Sequence, residues 1–347
     1  MFQGLPWTRL ALGLLISAGA IAIVLMRVNL DDVAEAFRTA RYDWLLLAIA
    51  ASFLSVAIRA QRWRLLCWPA QMSFTRAFGI LSVGAALTSL LPLRLGDVVR
   101  AYLAGEMERR SKAWALTTVV VERVLDVVAL LVIIVMLLPF VSLPKWAAES
   151  TRITVVLAVA GVSVICGVWF GRAALERRLG PLAGRLARGP LERVRSMVRH
   201  VVDGLAILGQ PARLATVILW TAANWLTTGV VLWATLRAFG VEGSPAIAML
   251  LVVVSAASVA VPISPSAVGV YHAAIIETLL VVTTIDTATA TSVAITAHAL
   301  LFVPPVICGF ASFWLVPGIA DRLLRFRRAP REVVATQIVS GGSIPPG

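Results

Sequence analysis

The sequence predicts an all-α polytopic membrane protein, and three observations carry that reading. Of 347 residues, 59% are hydrophobic and only 14% charged, where a soluble domain carries about a quarter. Apolar stretches of bilayer-crossing length recur along the chain, and the arginines gather in the connections between them. About six full transmembrane helices are expected, plus two segments broken by Pro and Gly.

Taken in order, each element has its own justification. Crossing a bilayer needs roughly 20 apolar residues. The stretches Leu10–Met26, Trp44–Ile58, Ala113–Leu138, Ile153–Phe170, Leu214–Leu236 and Thr289–Val316 meet or approach that length. Arg9 precedes the first, but its apolar run is too long for a signal-peptide core, so it reads as a retained span that also acts as signal anchor. A shorter helix over Asn29–Arg41 follows, with Asn29 as its cap. The second span continues through Arg59, whose stem can snorkel to the interface. Trp7, Trp44, Trp63 and Trp146 read as interface anchors.

Two further apolar stretches are each split by proline: Ala77–Leu91 with Leu93–Ala104, and Ala246–Val261 with Ser266–Val282. Neither makes a straight helix, so each is expected as a re-entrant hairpin or a helix pair. Arg and Lys cluster at Arg59/Arg62/Arg64/Arg76, Arg109/Arg110/Lys112, Arg172–Arg213 and Arg322–Arg331. If all four clusters are cytoplasmic, both termini are too, and the first split segment opens from inside while the second opens from outside. "PLRLG" and "PSAVG" share a Pro-x-x-x-Gly break. Interrupted segments of opposite orientation are the mark of an inverted repeat, with a binding site where the breaks meet.

Residues 1–325 thus form a single integral domain of the cytoplasmic membrane. Within it, 172–213 sets Leu and Val at helical spacing against an Arg-rich face, suited to the headgroup plane. Residues 326–347 are a basic, then disordered tail. The net charge of +13 points to membrane lipids as partners rather than nucleic acid, because the arginines flank apolar spans. Cys67, Cys166 and Cys308 form no CxxC pair, and the three histidines lack HExxH spacing. No metal or cofactor is expected, and no phosphate-binding GxxxxGK[ST] motif occurs.

Three clusters at membrane depth could carry chemistry. In "SLLPLRLGDVVRAYL", a helix restarting near Gly96 after Pro92 would offer free backbone N–H groups to an anion. Arg94 and Arg100 add positive charge there, and Asp97 can orient an arginine or take a proton. In "VVVERVLDVVALL", Glu122 and Asp126 share a helix face with Arg123 beside it, and ionisable groups at that depth seek a partner or a wet cavity. Arg94 and Arg100 are the expected partners of those carboxylates. The third cluster, "PISPSAVGVYHAAIIE", holds Pro265, Gly269, Tyr271, His272 and Glu277. His272 and Glu277 are five apart and do not share a face, and His298 reads as a satisfied interior histidine.

The first two motifs together resemble the P-x-R-L-G-[ED]-x-x-R and E-R-x-x-D signatures of the lysylphosphatidylglycerol synthase transmembrane region family, also called the UPF0104 group. The residues that match are Pro92, Arg94, Gly96, Asp97 and Arg100, then Glu122, Arg123 and Asp126. A later P-G-G-x-G-x-x-E signature is kept at Pro265 and Gly269 only, with Ser266 and Ala267 for the glycines and His272 for the acid. The resemblance implies a flippase-like protein over about residues 5–325. In fused relatives this region translocates aminoacylated phosphatidylglycerol made by a C-terminal synthase domain. No such domain is expected here, so any transferase would be a separate soluble partner.

The expected function is a lipid flippase or transporter for an anionic, aminoacylated or polyprenyl-phosphate-linked lipid, rather than an enzyme. The alternatives are an intramembrane enzyme acting on a lipid phosphate, or an accessory membrane subunit without activity of its own.

Overall fold

The computed structural model of the chain describes residues 30–90, 95–140, 199–260 and 268–328, with isolated parts of 156–171. Among them the secondary structure is helical. The expected spans Leu10–Met26 and, for the most part, Ile153–Phe170 lie outside the described residues, as do the Asn29 cap, most of 172–213 and the tail.

Helix α1 (Leu30–Arg38) is short and amphipathic, with Asp31 and Asp32 in its first turn and Arg38 in its last. Those charges oppose the helix dipole at both ends. Then come α2 (Tyr42–Leu66), α3 (Phe74–Leu90), α4 (Leu95–Met107) and α5 (Lys112–Leu137). After a 3-10 turn at Ala206–Gly209 follow α6 (Pro211–Ala238), α7 (Pro245–Ala260), α8 (Val268–Val282), α9 (Thr287–Leu315) and α10 (Ile319–Arg328). Both proline-split segments are therefore helix pairs, α3/α4 and α7/α8, with their breaks at 91–94 and 261–267, outside the described residues.

Local chemistry explains the boundaries. Ser111 caps α5 by accepting a hydrogen bond from the Trp114 N–H at 3.1 Å. Asp286 caps α9 by accepting one from the Thr289 N–H at 2.8 Å. Pro211 opens α6, where its missing N–H costs nothing. Pro304 and Pro305 lie inside α9, which runs through both.

Among the described residues, α2, α6 and α9 are long and apolar enough to cross a membrane. Helix α5 is comparably long, at 26 residues, but carries Glu122, Arg123 and Asp126 in its interior. The outward faces are apolar: Leu46, Val135, Leu219, Trp314 and Leu315 are all more than 60% exposed. Apolar surface on that scale is what a lipid-facing protein presents. The inward faces carry small and hydroxylated residues. Thr221 donates to the Val217 carbonyl at 2.9 Å, Thr235 to Val231 at 2.7 Å and Ser258 to Val254 at 2.7 Å. Each hydroxyl is satisfied by its own helix, leaving the neighbouring helix free to approach.

The interior divides into two apolar clusters. The first gathers Trp63 and Leu66 of α2, Ile80 of α3, Leu103 of α4 and Trp114 of α5, with Val217, Val316 and Ile319. The second gathers Leu232 and Leu236 of α6, Leu250 of α7, Ile275 of α8 and Ala297 of α9, with Leu137 from the far end of α5. Each cluster encloses one broken helix pair. The long helices α5, α6 and α9 begin in one cluster and end in the other. Helix α2 lies along α6, α9 along α3, and α5 touches α7.

Candidate functional site

The site is built where α2, α4 and α5 meet. Helices α3 and α4 run antiparallel and touch at Gly84 and Gly96, both buried. A methyl group on Gly96 would collide with the Gly84 carbonyl oxygen and with Thr88. A methyl group on Gly84 would lie 3.0 Å from both the Gly96 carbonyl oxygen and the Arg100 Cβ. The two glycines thus let the pair close tightly enough to carry Arg100 inward. At the open end of the pair, Arg76 bridges to Glu108 at 3.0 Å.

Arg100 pairs with Glu122, whose other oxygen accepts from Arg62 at 2.6 Å. Arg62 also reaches Asp126 at 2.5 Å. Arg123 bridges Asp97 at 3.1 Å and lies 3.5 Å from the second oxygen of Asp126. Glu122 is fully buried, and Arg62 and Arg100 are nearly so. The Asp97–Arg123 pair forms the more open edge, with side chains 21% and 33% exposed. The Arg100 guanidinium lies over the Trp63 ring, 4.0 Å from its centre, and the indole N–H donates to Thr118 at 3.2 Å. Asp97, in the first turn of α4, places a negative charge at the positive end of that helix.

The expected pairing of Arg100 with the α5 carboxylates is present, at Glu122. Arg94 and Pro92 lie outside the described residues. The partner that sequence reading missed is Arg62, assigned to a cytoplasmic charge cluster yet nearly sealed against both carboxylates. Trp63 is likewise no interface anchor; it is fully buried beneath Arg100. Arg59 is half-buried and shares the electrostatic environment of Arg62, Glu122, Arg123 and Asp126. The spacing Arg59/Arg62 was the available signal: three residues apart, both arginines fall on one face of α2, the face turned to α5.

Among the described residues, four guanidiniums (Arg59, Arg62, Arg100 and Arg123) meet three carboxylates (Asp97, Glu122 and Asp126), which leaves one positive charge over. Among the described residues, no carboxylate lies within ion-pair distance of Arg59. With no carboxylate on it among those residues, the half-buried Arg59 guanidinium keeps its donors available to an anion.

The third predicted cluster assembles differently. Pro265 lies outside the described residues. Gly269 and Tyr271 are buried, and the Tyr271 hydroxyl lies 3.3 Å from the Ser255 hydroxyl of α7. His272 faces His298 of α9, not Glu277, which is exposed. The two imidazoles stack with centres 4.8 Å apart and planes 13° from parallel. Tyr271 meets His298 edge-on at 4.7 Å, and Phe302 flanks it at 4.3 Å. His298 is therefore not a satisfied interior histidine: its buried Nδ1 has no hydrogen-bond partner among the described residues. Those residues also contain no group of three or more His, Cys, Asp or Glu placed to hold a metal.

The model of the lysylphosphatidylglycerol synthase transmembrane region matches residues 10–309. The chain belongs to that family. It is also similar to a UPF0104 membrane protein of Methanothermobacter thermautotrophicus, 28% identical over 204 residues. That match covers 55% of this chain and 60% of the relative, so it spans less than two thirds of the relative's length. Membership of this family places the Arg100–Glu122 contact inside a membrane domain that holds both sequence motifs.

Proposed function

We propose that this family member is a flippase, translocating an anionic, aminoacylated or polyprenyl-phosphate-linked lipid across the cytoplasmic membrane. The observation that carries the reading is the surplus positive charge that the described residues leave at the half-buried Arg59, beside an otherwise neutralised cluster. A phosphate or carboxylate headgroup would complete the charge balance there, and charge-assisted hydrogen bonds from a guanidinium suit either group. The family takes its name from a lysylated anionic phospholipid, which agrees with that class of cargo.

The helix order supports movement. Long, short, short, long describes α2–α5 and again α6–α9. With the two apolar clusters sharing their long helices, that order fits an inverted repeat whose halves rock about a site between them. Both termini are cytoplasmic in this reading. Glu122 acts as a fixed anchor for two guanidiniums, and the headgroup approaches from the Arg59–Arg123 edge.

Reconstitution in lipid vesicles tests the proposal, with headgroup translocation followed for labelled anionic lipids. Arg59→Gln should slow translocation at least tenfold, since a hydrogen bond to a charged group contributes about 1.5–3 kcal/mol, while leaving the Arg62–Glu122–Arg100 bridge and the melting temperature in place. An unchanged rate would remove Arg59 from the path, and the reading with it. Release of inorganic phosphate from the lipid would point to chemistry instead of transport.

A further inference from the structure

The helix order that pairs α4 with α8 and α5 with α9 also brings two constellations into correspondence. Arg100 lies four residues beyond Gly96 on α4, and its partner Glu122 is ten residues into α5. His272 lies three residues beyond Gly269 on α8, and its partner His298 is eleven residues into α9. Where one helix pair holds a guanidinium against a carboxylate, the other holds two stacked imidazoles.

The surroundings of those imidazoles define their chemistry. The Nδ1 of His272 lies within hydrogen-bond reach of the Val268 carbonyl. A carbonyl only accepts, so Nδ1 carries the hydrogen and the neutral ring keeps a bare lone pair at Nε2. The His298 Nδ1 lacks a partner altogether among the described residues. Helix α7, packed against α8, bears no ionisable side chain. On α8 itself the other titratable groups are Tyr271, held to Ser255, and the exposed Glu277. On α9 there is only Cys308, ten residues beyond His298. The helices packed on α9 carry charged groups, among them Asp31, Asp32 and Glu35 of α1, Arg59 and Arg62 of α2 and Arg237 of α6, but among the described residues no carboxylate lies within ion-pair distance of either imidazole. Among the described residues, no fixed charge therefore pairs with either imidazole.

We propose that His272 and His298 form a one-proton site, the counterpart in the second helix pair of the Arg100–Glu122 contact. A proton from water adds to a ring nitrogen of one imidazole, and the positive charge stays on the pair. A second proton is opposed because two imidazoliums stacked face to face repel across a poorly solvated contact. The pair then titrates as a unit rather than as two independent histidines. Use of that proton to drive translocation rests on the transporter reading; the site itself does not.

The test uses the full chain, labelled with 15N-histidine and placed in nanodiscs, with the ring nitrogens followed by NMR from about pH 4 to 8, a range bracketing the ordinary imidazole value. His200→Gln removes the third histidine from the spectra without touching the pair. The expected result is a shared titration step in which the His272 and His298 signals move together, with uptake of about one proton per chain. His272→Gln should shift the remaining step at His298 by at least threefold in proton affinity, and His298→Gln should do the reciprocal. Two rings that stay unprotonated throughout, or that titrate separately and ignore substitution of the other, overturn the proposal. The wild-type titration decides even if a variant fails to fold. If vesicles show no lipid translocation at any pH while the shared step persists, the transporter reading fails and the proton site stands.

Discussion

The α3/α4 and α7/α8 helix pairs share a plan and differ in how polar groups are kept inside. At the first, charge is neutralised by charge: Glu122 sits between two guanidiniums, and Asp126 between two more contacts from Arg62 and Arg123. At the second, no ion pair is present among the described residues, and rings cover rings. The difference teaches where rigidity lies. An ionic cluster whose central carboxylate, Glu122, is fully buried resists any change that separates its partners. Stacked aromatics tolerate small displacements, because dispersion contacts are individually weak. The first pair is built to be held and the second to adjust.

The sharpest way to break that contrast is to remove the hub of each. Glu122→Ala leaves Arg62 and Arg100 buried without their shared acceptor, which should destabilise the protein by about 3–5 kcal/mol. Tyr271→Phe removes only the 3.3 Å contact with Ser255 and should cost about 0.5–1.5 kcal/mol. Thermal unfolding in detergent, read by tryptophan fluorescence and by loss of monodisperse protein, compares them directly. Equal losses would mean that the ionic cluster contributes no more than the aromatic one.

Glycine at the hairpin crossing is the next effect in size. Gly96→Ala pushes a methyl group into the backbone of Gly84 and into Thr88, and neither can swing aside as a side-chain tip could. Overpacking of this kind costs about 1–3 kcal/mol. It should also draw Arg100 away from Glu122. Loss of stability in Gly96→Ala and Glu122→Ala should therefore be less than additive in the double variant, since the second change removes what the first already disturbs. Full additivity would show that the glycine contact and the ion pair act independently.

How much of this was legible in the sequence follows from the kind of signal each feature leaves. Helix pairs and their breaks were readable because proline and glycine interrupt apolar runs that are otherwise continuous. The cluster on α5 was readable because charges at i, i+1 and i+4 in an apolar run are costly anywhere in a bilayer. Arg62 was misplaced for the opposite reason. It stands near Arg59 and Arg64 at the end of an apolar run, where a rule about charge and sidedness absorbs it, and its three-residue spacing from Arg59 is the one local hint that it turns inward. The stacking of His272 on His298 was beyond reach because it joins residues 26 positions apart, on helices whose mutual rotation only the tertiary structure fixes.

The mildest test of the same comparison lies at the helix starts. Ser111 and Asp286 perform the same task for α5 and α9, each accepting a hydrogen bond from an N–H three residues on. Only the second cap can be titrated. Hydrogen bonds from Thr289, its backbone N–H first, hold the Asp286 carboxyl below its ordinary value. The stability it contributes is therefore complete above the unfolded carboxylate value near ~3.9, and is lost as pH falls through the lower folded value. Replacing either cap with alanine should cost about 1 kcal/mol near neutral pH. Below about pH 4 the Asp286→Ala penalty should shrink while the Ser111→Ala penalty stays constant. Stability measured for both variants across that range decides it: parallel curves would mean that the carboxylate's charge adds nothing to the cap, and that the two helix pairs do not differ in this respect.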